Sequence, residues 1–362
     1  MTKQRKTANK RPTIGRERTP VRHLDLNALG ETKLIELLTR EIVLYPDNVI
    51  RGIGDDAAVL KAEGEDWLLF TTDMLIEDVH FSMSYVKPVQ VGAKALVASV
   101  SDIAAMGGRP LHAVVSLGIP LKFPVEVLKG VYSGLRSAAQ EYALNIVGGD
   151  TVKSPGKLII NVALIGAVGA GKAVYRSGAK PGDLVFVTGS LGNSAAGLFL
   201  CQNPGISISM EASSFLKSAH TDPKAQVKLG ALLAGTGKVT SMDDISDGLA
   251  TEIHEICLAS GVGCRIRSPL VPQDQRMKEA AAAANRDPLS WALYGGEDFE
   301  LVFTVRSGSA AAIKRLLNEE GAKCHLVGEI VQPKAGITME LPQGYCVPLE
   351  AKGYDHFKAG ND

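Results

Sequence analysis

The stretch from Trp67 to Ile119 decides the fold, because short apolar runs alternate there with a longer helical pattern. Two of the runs, Trp67-Leu-Leu-Phe-Thr71 and His112-Ala-Val-Val-Ser-Leu-Gly-Ile119, predict strands. Between them, Val91 to Met106 is rich in small residues and is followed by two glycines and a proline, which predicts a helix that ends there. Strands that alternate with helices are typical of mixed α and β layers.

The same alternation continues toward the carboxyl end. Pro124 opens a predicted helix with a 3.6-residue apolar period, the run from Leu158 to Val168 predicts a strand, and another helix is predicted to begin at Ser246–Asp247. A chain of 362 residues has the length of two domains at about 150 residues each. A turn-rich stretch marks the expected boundary, so that residues 23–168 and 169–362 form two α/β domains.

Residues 1–22 differ in charge from the rest of the chain. Lys plus Arg and Asp plus Glu each number 39, so the formal net charge is zero, yet this stretch holds eight basic side chains against Glu17. Its few apolar residues cannot offset the entropy of ordering, so a flexible basic arm is expected. A solvated extension is the favoured interpretation, and an arm that binds nucleic acid or an anionic surface is the alternative.

Apolar runs and cysteines bear on the compartment. The longest apolar run, Leu158 to Ala170, is too short to span about 30 Å of hydrocarbon, so no membrane contact is expected. The five cysteines are widely spaced and include no Cys-x-x-Cys pair, which argues against a disulfide framework and against a zinc site. A reducing cytoplasm fits this composition best.

Carboxylates recur where apolar runs meet glycine-rich turns. Asp55–Asp56 follow Gly-Ile-Gly, Asp73 is expected at the end of a strand, and Asp150 follows Ile-Val-Gly-Gly; further acids flank Ile245-Ser246 and follow Gly295–Gly296. A single acid at such a turn ordinarily makes local hydrogen bonds. Five such places favour convergence instead, and convergent carboxylates repel unless a cation lies among them. Hard oxygen ligands suit Mg²⁺, which neutralises polyphosphate.

Asp102 supports the same interpretation in a different way. It lies in a predicted helix with few charges, where a carboxylate is costly without a partner and a bound cation would supply one. The alternative is an exposed helical Asp.

Other functional motifs are incomplete or missing. Gly166 to Lys172 matches the spacing of a P-loop, but Ala173 stands where a Ser or Thr would hold magnesium. Gly52 to Ala57 imitates a dinucleotide-binding turn, but a strand rather than a helix is expected after it. The sequence contains no nucleophile elbow, zinc-protease motif or kinase catalytic loop. The carboxylates are therefore the main functional signal.

Eight short motifs occur in order along the chain: Gly54-Asp-Asp-Ala-Ala-Val59, Thr71-Thr-Asp-Met-Leu-Ile-Glu-Asp-Val-His-Phe81, Ser101-Asp-Ile-Ala-Ala-Met-Gly107, Gly148-Gly-Asp-Thr151, Arg176-Ser-Gly-Ala-Lys-Pro-Gly-Asp183, Ile245-Ser-Asp-Gly-Leu249, Gly295-Gly-Glu-Asp-Phe-Glu-Leu301 and Gly353-Tyr-Asp-His-Phe357. Together they resemble the thiamine-monophosphate kinase family, in the superfamily of aminoimidazole-ribonucleotide synthetase. This resemblance implies an α/β (α+β layered) fold of two-domain PurM-like architecture, with mixed sheets covered by helices and an ATP site at the domain interface. It also implies a cytoplasmic homodimer that converts thiamine monophosphate to thiamine diphosphate with ATP and several Mg²⁺ ions.

The resemblance implies roles for individual residues as well. Magnesium would be held by Asp56, Thr71, Thr72, Asp73, Asp102, Asp150, Asp244 and Asp247. ATP would be contacted by Tyr132, Gly149, Asp150, Arg176 and Ser246. Thiamine monophosphate would be contacted by His80, Glu297 and Tyr354, of which Tyr354 is one of several aromatic candidates near the carboxyl end.

No catalytic base is expected. The second ionisation of a phosphate monoester lies at about pH 6, so the attacking oxygen is already charged at neutral pH. Phosphoryl transfer then depends on in-line positioning and charge neutralisation. Two alternatives stay open: another ATP-dependent enzyme of the superfamily, similar to aminoimidazole-ribonucleotide synthetase, and a non-catalytic nucleotide-binding sensor.

Overall fold

The computed structural model describes residues 30–357, so the expected basic arm at residues 1–22 lies outside the described residues. The described chain divides into two units. One contains helix α1 (Glu31–Thr39) and residues 355–357, and the other, residues 41–354, contains both β-sheets. Within the described residues, no helix combines the length and the apolar character needed to cross a membrane.

Six strands form the first sheet: β1 (Val49–Arg51), β2 (Ala58–Leu60), β3 (Asp66–Ile76), β4 (Arg109–Pro120), β5 (Asn145–Ser154) and β6 (Ile159–Gly169). Their order is β1-β2-β3-β6-β4-β5, with β4 and β5 parallel and all other neighbours antiparallel. Helix α2 (Pro88–Ala105) lies on β3 and β6 and packs against α3 (Val125–Glu141). The central strands alternate between buried and exposed residues, so helices cover one face and the other is open.

Seven strands form the second sheet: β7 (Asp183–Thr188), β8 (Val239–Asp244), β9 (Gly263–Arg267), β10 (Leu301–Arg306), β11 (Cys324–Val331), β12 (Ile337–Glu340) and β13 (Cys346–Pro348). Their order is β13-β12-β9-β11-β7-β10-β8, and β9 with β12 is the parallel pair. The helices that accompany this sheet are α4 (Asn193–Gln202), α5 (Met210–Thr221), α6 (Val227–Gly235), α7 (Leu249–Ser260), α8 (Gln275–Ala283), α9 (Pro288–Tyr294) and α10 (Ala310–Glu319). The mixed sheets with helices that the sequence predicts are confirmed.

Small residues let α2 and α3 pack closely. A Cβ at Gly92 would lie 1.9 Å from the backbone oxygen of Val131, and one at Gly134 would lie 1.8 Å from the backbone oxygen of Val89. Any larger residue at these two positions would push the helices apart. Helix α2 is therefore fixed in the core, which in turn fixes the polar side chains that it carries.

The open face of the first sheet carries exposed apolar side chains. Phe70 and Met74 in β3, Val114 in β4, Val152 in β5 and Ile165 in β6 all lie there. We call these five residues the open-face patch. Exposed apolar residues grouped on one surface mark an interaction site more often than scattered ones do.

Three element boundaries differ from those expected. β3 pairs with β6 residue by residue from Asp66 to Ile76, so Asp73 lies inside the strand and not at its end. β5 likewise continues past Asp150 because it pairs with β4. The helix expected to begin at Ser246–Asp247 begins at Leu249, because Gly248 has a φ of 106° that no helical residue adopts.

Candidate magnesium and nucleotide site

Three carboxylates from the two sheets meet at one place. Asp56 lies just before β2, and Asp243 and Asp244 end β8. One oxygen of each lies within 4.8 Å of the others. All three side chains are buried. Since β2 belongs to the first sheet and β8 to the second, this carboxylate cluster lies between the two sheets.

Strand β3 and helix α2 add further acids. Thr71 and Asp73 are two residues apart in β3 and therefore face the same, helix-covered side of the sheet. Ser99 and Asp102 are one turn apart on α2 and face them. Thr71 Oγ1 donates a hydrogen bond to Asp102 Oδ2, and Ser99 Oγ donates one to Asp73 Oδ2 at 2.6 Å. These hydroxyls fix the orientation of both carboxylates.

Burial and mutual repulsion raise the pKa values of these acids. Burial raises the pKa of Asp102 well above its usual range, and the charges of Asp73 and Asp244 add to this. Burial and the charge of Asp56 raise the pKa of Asp244 to about 7. Ser101 Oγ donates a hydrogen bond to Asp244, so α2 also contacts β8. The acids of the first sheet and those of β8 thus form one repelling group.

The chemistry of this group fits Mg²⁺. Within residues 30–357, Asp56 Oδ2 and Asp243 Oδ1 are buried without a hydrogen-bond partner. Carboxylate oxygens are the ligands that Mg²⁺ prefers, and a divalent ion would compensate the like charges. The donor set therefore suits the magnesium that the sequence predicts.

Arg176 lies against the carboxylate cluster. Its Nη2 lies 2.5 Å from Asp56 Oδ1, and its Nε lies 3.0 Å from Asp243 Oδ2. Burial lowers the pKa of the guanidinium, but the charges of Asp243 and Asp56 outweigh this effect and raise it well above its usual range. The resemblance implies that Arg176 contacts ATP; in this structure its partners are two of the cluster's carboxylates.

Four predicted site residues are joined through one loop. The Glu297 N–H donates to the Ser246 carbonyl at 2.7 Å, and the Tyr354 N–H donates to the Asp247 carbonyl at 3.3 Å. Glu252 of α7 accepts a hydrogen bond from the Asp247 N–H at 2.8 Å. Because this loop follows β8 directly, it places predicted metal, ATP and substrate residues next to the carboxylate cluster.

Glu297 is held in an uncommon conformation. Its φ is 64°, in the left-handed region, which is strained for a residue with a side chain. Its Oε1 lies 2.6 Å from Lys94 Nζ, and its Oε2 lies 3.3 Å from His220 Nδ1. Burial raises the pKa of Glu297, but Lys94 and His220 outweigh it and lower the pKa to about 2. Glu297 is therefore a fixed anion.

His80 lies in the turn that follows β3. Its Nδ1 accepts a hydrogen bond from the Ile76 N–H at 2.9 Å. An Nδ1 that accepts this bond places the proton of the neutral ring on Nε2. The turn therefore sets both the tautomer and the direction of the ring, and the expected contact with substrate stays a prediction.

Thr72 and Asp150 lie on the open face of the first sheet, away from the face that α2 covers. Thr72 is exposed, and its Oγ1 donates to the Val162 carbonyl at 3.0 Å. Asp150 is in register with Ser116 of β4, which shares that face, and its Oδ1 accepts a hydrogen bond from the Thr151 N–H at 2.8 Å. Neighbours in a strand point to opposite faces, so these two residues do not join Thr71 and Asp73.

Gly149 and Tyr132 lie elsewhere on the first domain. A Cβ at Gly149 would lie 1.8 Å from the Val115 carbonyl oxygen, so only glycine fits there. Tyr132 lines an open cleft of about 650 Å³ together with Lys129 and Arg136. None of the predicted metal ligands lines this cleft. The expected ATP contacts are thus distributed over more than one part of the chain.

Sequence reasoning placed Asp243 among the convergent acids that flank Ile245-Ser246 but gave it no ligand role, and it missed Lys94 and His220. Lys94 is a charged residue in a helix of small and apolar residues, the same signal that identified Asp102. No pattern around His220 pointed to the site, because its place there results from how α5 packs.

Two family models match this chain. The model for AIR synthase related protein, N-terminal domain, matches residues 54–168, and the model for the C-terminal domain matches residues 180–339. A thiamine-monophosphate kinase of Bacillus subtilis (strain 168) is 38% identical over 91% of this chain and 100% of its own length. One from Salmonella typhimurium is 33% identical over 91% of this chain and 99% of its own length.

Solved structures agree with these matches. AaThiL complexed with AMPPCP and TMP is 32% identical, with a TM-score of 0.80 over 93% of this chain and 100% of that chain. This similarity confirms the expected two-domain PurM-like architecture. The chain belongs to the thiamine-monophosphate kinase family, among the AIR synthase related proteins.

Proposed function

We propose that this chain transfers the γ-phosphoryl group of ATP to the phosphate of thiamine monophosphate, which forms thiamine diphosphate and ADP. The convergence of Asp56, Asp243 and Asp244 within 4.8 Å carries the proposal, because a reaction between two anions needs a site that gathers cations. The relatives named thiamine-monophosphate kinase, and the TMP and AMPPCP held by AaThiL, support the choice of substrates.

Magnesium binding is part of the proposal. Asp56, Thr71, Asp73, Asp102, Asp244 and Asp247 of the predicted set, together with their neighbour Asp243, would hold one group of ions. Thr72 and Asp150, which lie on the open face of the first sheet, would hold a separate ion among the several that the resemblance implies. Bound Mg²⁺ would supply neutralisation of the charge on the phosphates. Ser99, Ser101 and Thr71 hold three of these carboxylates in place through hydrogen bonds.

The chain needs no general base for this reaction. The acceptor is a phosphate monoester that has lost its second proton at neutral pH, since that ionisation lies at about pH 6. The work left to the protein is to bind both anions in line and to exclude competing water. Ser246 and Arg176, near the carboxylate cluster, and Gly149 and Tyr132, elsewhere in the half that holds the first sheet, are proposed to contact ATP.

Glu297, His80 and Tyr354 are proposed to bind thiamine monophosphate. Thiamine carries a positively charged thiazolium ring and an aminopyrimidine that donates hydrogen bonds. An ionised Glu297 complements both groups, and its pKa of about 2 keeps it ionised throughout the physiological range. The backbone hydrogen bond between Glu297 and Ser246 places a proposed substrate contact next to a proposed ATP contact.

We further propose a homodimer in the cytoplasm, with domains at residues 23–168 and 169–362. The open-face patch supports the dimer, because a second copy of the sheet would remove its apolar side chains from water. The five cysteines are free thiols, in keeping with a reducing compartment. Every strand of the first sheet ends by Gly169, and the second sheet begins at Asp183, which supports the domain boundary.

Product analysis tests the proposal directly. The purified protein is incubated with Mg-ATP and either thiamine or thiamine monophosphate, and the products are separated and identified. Thiamine diphosphate formed from the monophosphate, and no phosphorylated product from thiamine, is the expected result. Phosphorylation of thiamine, or ATP consumption that does not depend on the monophosphate, would contradict it.

A further inference from the structure

Lys94, Glu297 and His220 form a charged network that joins the two halves of the chain. Lys94 lies on α2, against the first sheet, whereas His220 ends α5 and Glu297 precedes β10, both in the half that holds the second sheet. The two oxygens of Glu297 are divided between them: Oε1 lies 2.6 Å from Lys94 Nζ and Oε2 lies 3.3 Å from His220 Nδ1. The carboxylate is therefore held from two directions.

The two partners are more deeply buried than the acid they hold. Lys94 is 2% exposed and His220 is 1% exposed, whereas the side chain of Glu297 is 29% exposed. Within the described part of the chain, Lys94 Nζ has no hydrogen-bond partner apart from this ion pair. A buried ammonium is costly unless it is paired, so this lysine is explained by the anion next to it.

His220 acts as a donor in this arrangement. Burial and the charge of Lys94 lower the pKa of His220, so the ring is neutral at physiological pH. A neutral ring that bonds to Glu297 through Nδ1 carries its proton there. Ser194 Oγ also lies 3.2 Å from this nitrogen, which fixes the ring plane. His220 Nε2 is buried, with no hydrogen-bond partner among residues 30–357.

We infer that Lys94 and His220 are positioning residues, which hold the Glu297 carboxylate ionised and aimed so that its exposed part binds the cationic, amine-bearing rings of thiamine monophosphate. The inference rests on the proposed function of this site. The left-handed backbone of Glu297 agrees with it, because strain of this kind persists where neighbouring contacts over-determine a conformation. The network also makes the position of the Glu297 carboxylate depend on residues from both halves of the chain.

Lys94→Met tests the first partner. Calorimetric titration with thiamine monophosphate in the absence of ATP should give a Kd that is about tenfold to 100-fold weaker, since a hydrogen bond to a charged group is lost. The KM for the monophosphate rises by the same factor, while kcat stays within about threefold and the KM for ATP is unchanged. Lys228→Met is the matched control, because its ion pair with Glu320 is exposed.

His220→Asn and His220→Gln test the second partner. The Asn amide places an N–H near the position of Nδ1, and the Gln amide places one near Nε2. Substrate binding should stay within about threefold of the native protein for Asn and weaken by about tenfold for Gln. Equal binding by both variants, at the native affinity, overturns the role of His220.

A double variant separates positioning from general damage. In a Glu297→Gln background, Lys94→Met should weaken binding by less than about twofold more, because the group on which Lys94 acts is already gone. Additive losses, or a rise in the KM for ATP equal to that for the monophosphate, overturn the inference. Should Lys94→Met fail to fold, the pair of His220 variants decides. A native protein that neither binds nor phosphorylates the monophosphate refutes the proposed function instead.

Discussion

Two groups of acids in this chain, one buried and one partly exposed, differ in how their charge is compensated. Burial and mutual repulsion raise the pKa values of Asp102 and Asp244, whereas the pKa of Glu297 is lowered to about 2 despite its partial burial. The difference lies in the partners, since Glu297 has Lys94 and His220 beside it and Asp102 has other carboxylates. The Glu297 network is complete in the chain alone, and the carboxylate group is complete only when cations are added.

The comparison predicts opposite effects on stability for two substitutions that both impair function. Asp102→Asn is expected to lower kcat by about 100-fold or more, because a charge that would help to neutralise the phosphates is removed. In EDTA the same variant should unfold at a higher temperature than the native protein, because repulsion with Asp73 and Asp244 is relieved. ADP formation at saturating magnesium and a thermal melt measure the two effects.

Asp66→Asn serves as the control for this experiment. Asp66 begins β3 and forms an exposed ion pair with Arg109, so its loss should leave kcat unchanged and the melting temperature nearly so. Near-normal turnover of Asp102→Asn, or a lower melting temperature in EDTA, would show that the acids of β3 and α2 do not form a cation site.

Glu297→Gln is expected to act in the other direction on stability. It leaves the Lys94 ammonium buried without its anion, which typically costs about 3 kcal/mol. Urea unfolding should therefore show a lower free energy of unfolding, together with a higher KM for thiamine monophosphate. Glu320→Gln, which breaks an exposed pair with Lys228, should change neither quantity appreciably. Unchanged stability of Glu297→Gln would mean that Lys94 is compensated by another group.

Magnesium itself should distinguish the two groups. Saturating Mg²⁺ is expected to raise the melting temperature of the native protein by about 5 °C, because an ion that binds only the folded state stabilises it. The shift should fall by half or more in Asp56→Asn and persist in Glu297→Gln. A shift of equal size in all three proteins, or one that Na⁺ at matched ionic strength reproduces, would mean that the carboxylate cluster does not bind Mg²⁺ specifically.

The sequence predicted those features of the site that depend on local pattern. The pattern from Val91 to Met106, followed by two glycines and a proline, predicted a helix, and α2 covers Pro88–Ala105. Acids beside glycine-rich turns indicated convergence, and the structure brings Asp56 and Asp244 together. Both predictions depend on residues that are consecutive in the chain, so they can be made without knowledge of tertiary contacts.

Features that depend on pairing and on strand direction could not be predicted in this way. Asp73 was expected at a strand end because the apolar run stops there, but pairing with β6 extends β3 to Ile76. Thr72 lies next to Thr71 in the motif, yet the alternation of a strand sends it to the open face. The compensation of Glu297 by His220 depends on packing between distant segments, which no spacing in the sequence records.

The smallest expected effect is a pH dependence that belongs to the Glu297 network alone. The pKa of Glu297 in the folded chain, about 2, lies below its ordinary value of 4.5, so its ionised form stabilises the fold above pH 4.5. That stabilisation declines as the pH falls from 4.5 toward 2. The difference in free energy of unfolding between the native protein and Glu297→Gln should therefore shrink by about 1 kcal/mol between pH 5 and pH 3.5.

Urea unfolding of both proteins at several pH values measures this difference. Ionisable groups that titrate in the same way in both proteins do not contribute to it. Besides Lys94, the titratable side chains of His220 and Tyr85 interact with Glu297, so His220→Asn is measured in parallel. A difference that stays constant down to pH 3.5 would mean that Lys94 does not stabilise the ionised form of Glu297. Glu297 and the carboxylate cluster would then differ in their location but not in how their charge is compensated. A difference that grows as the pH falls from 7 to 5 would assign that titration to His220, because Glu297 raises the pKa of His220 and its removal makes protonation of the buried ring more costly in the variant.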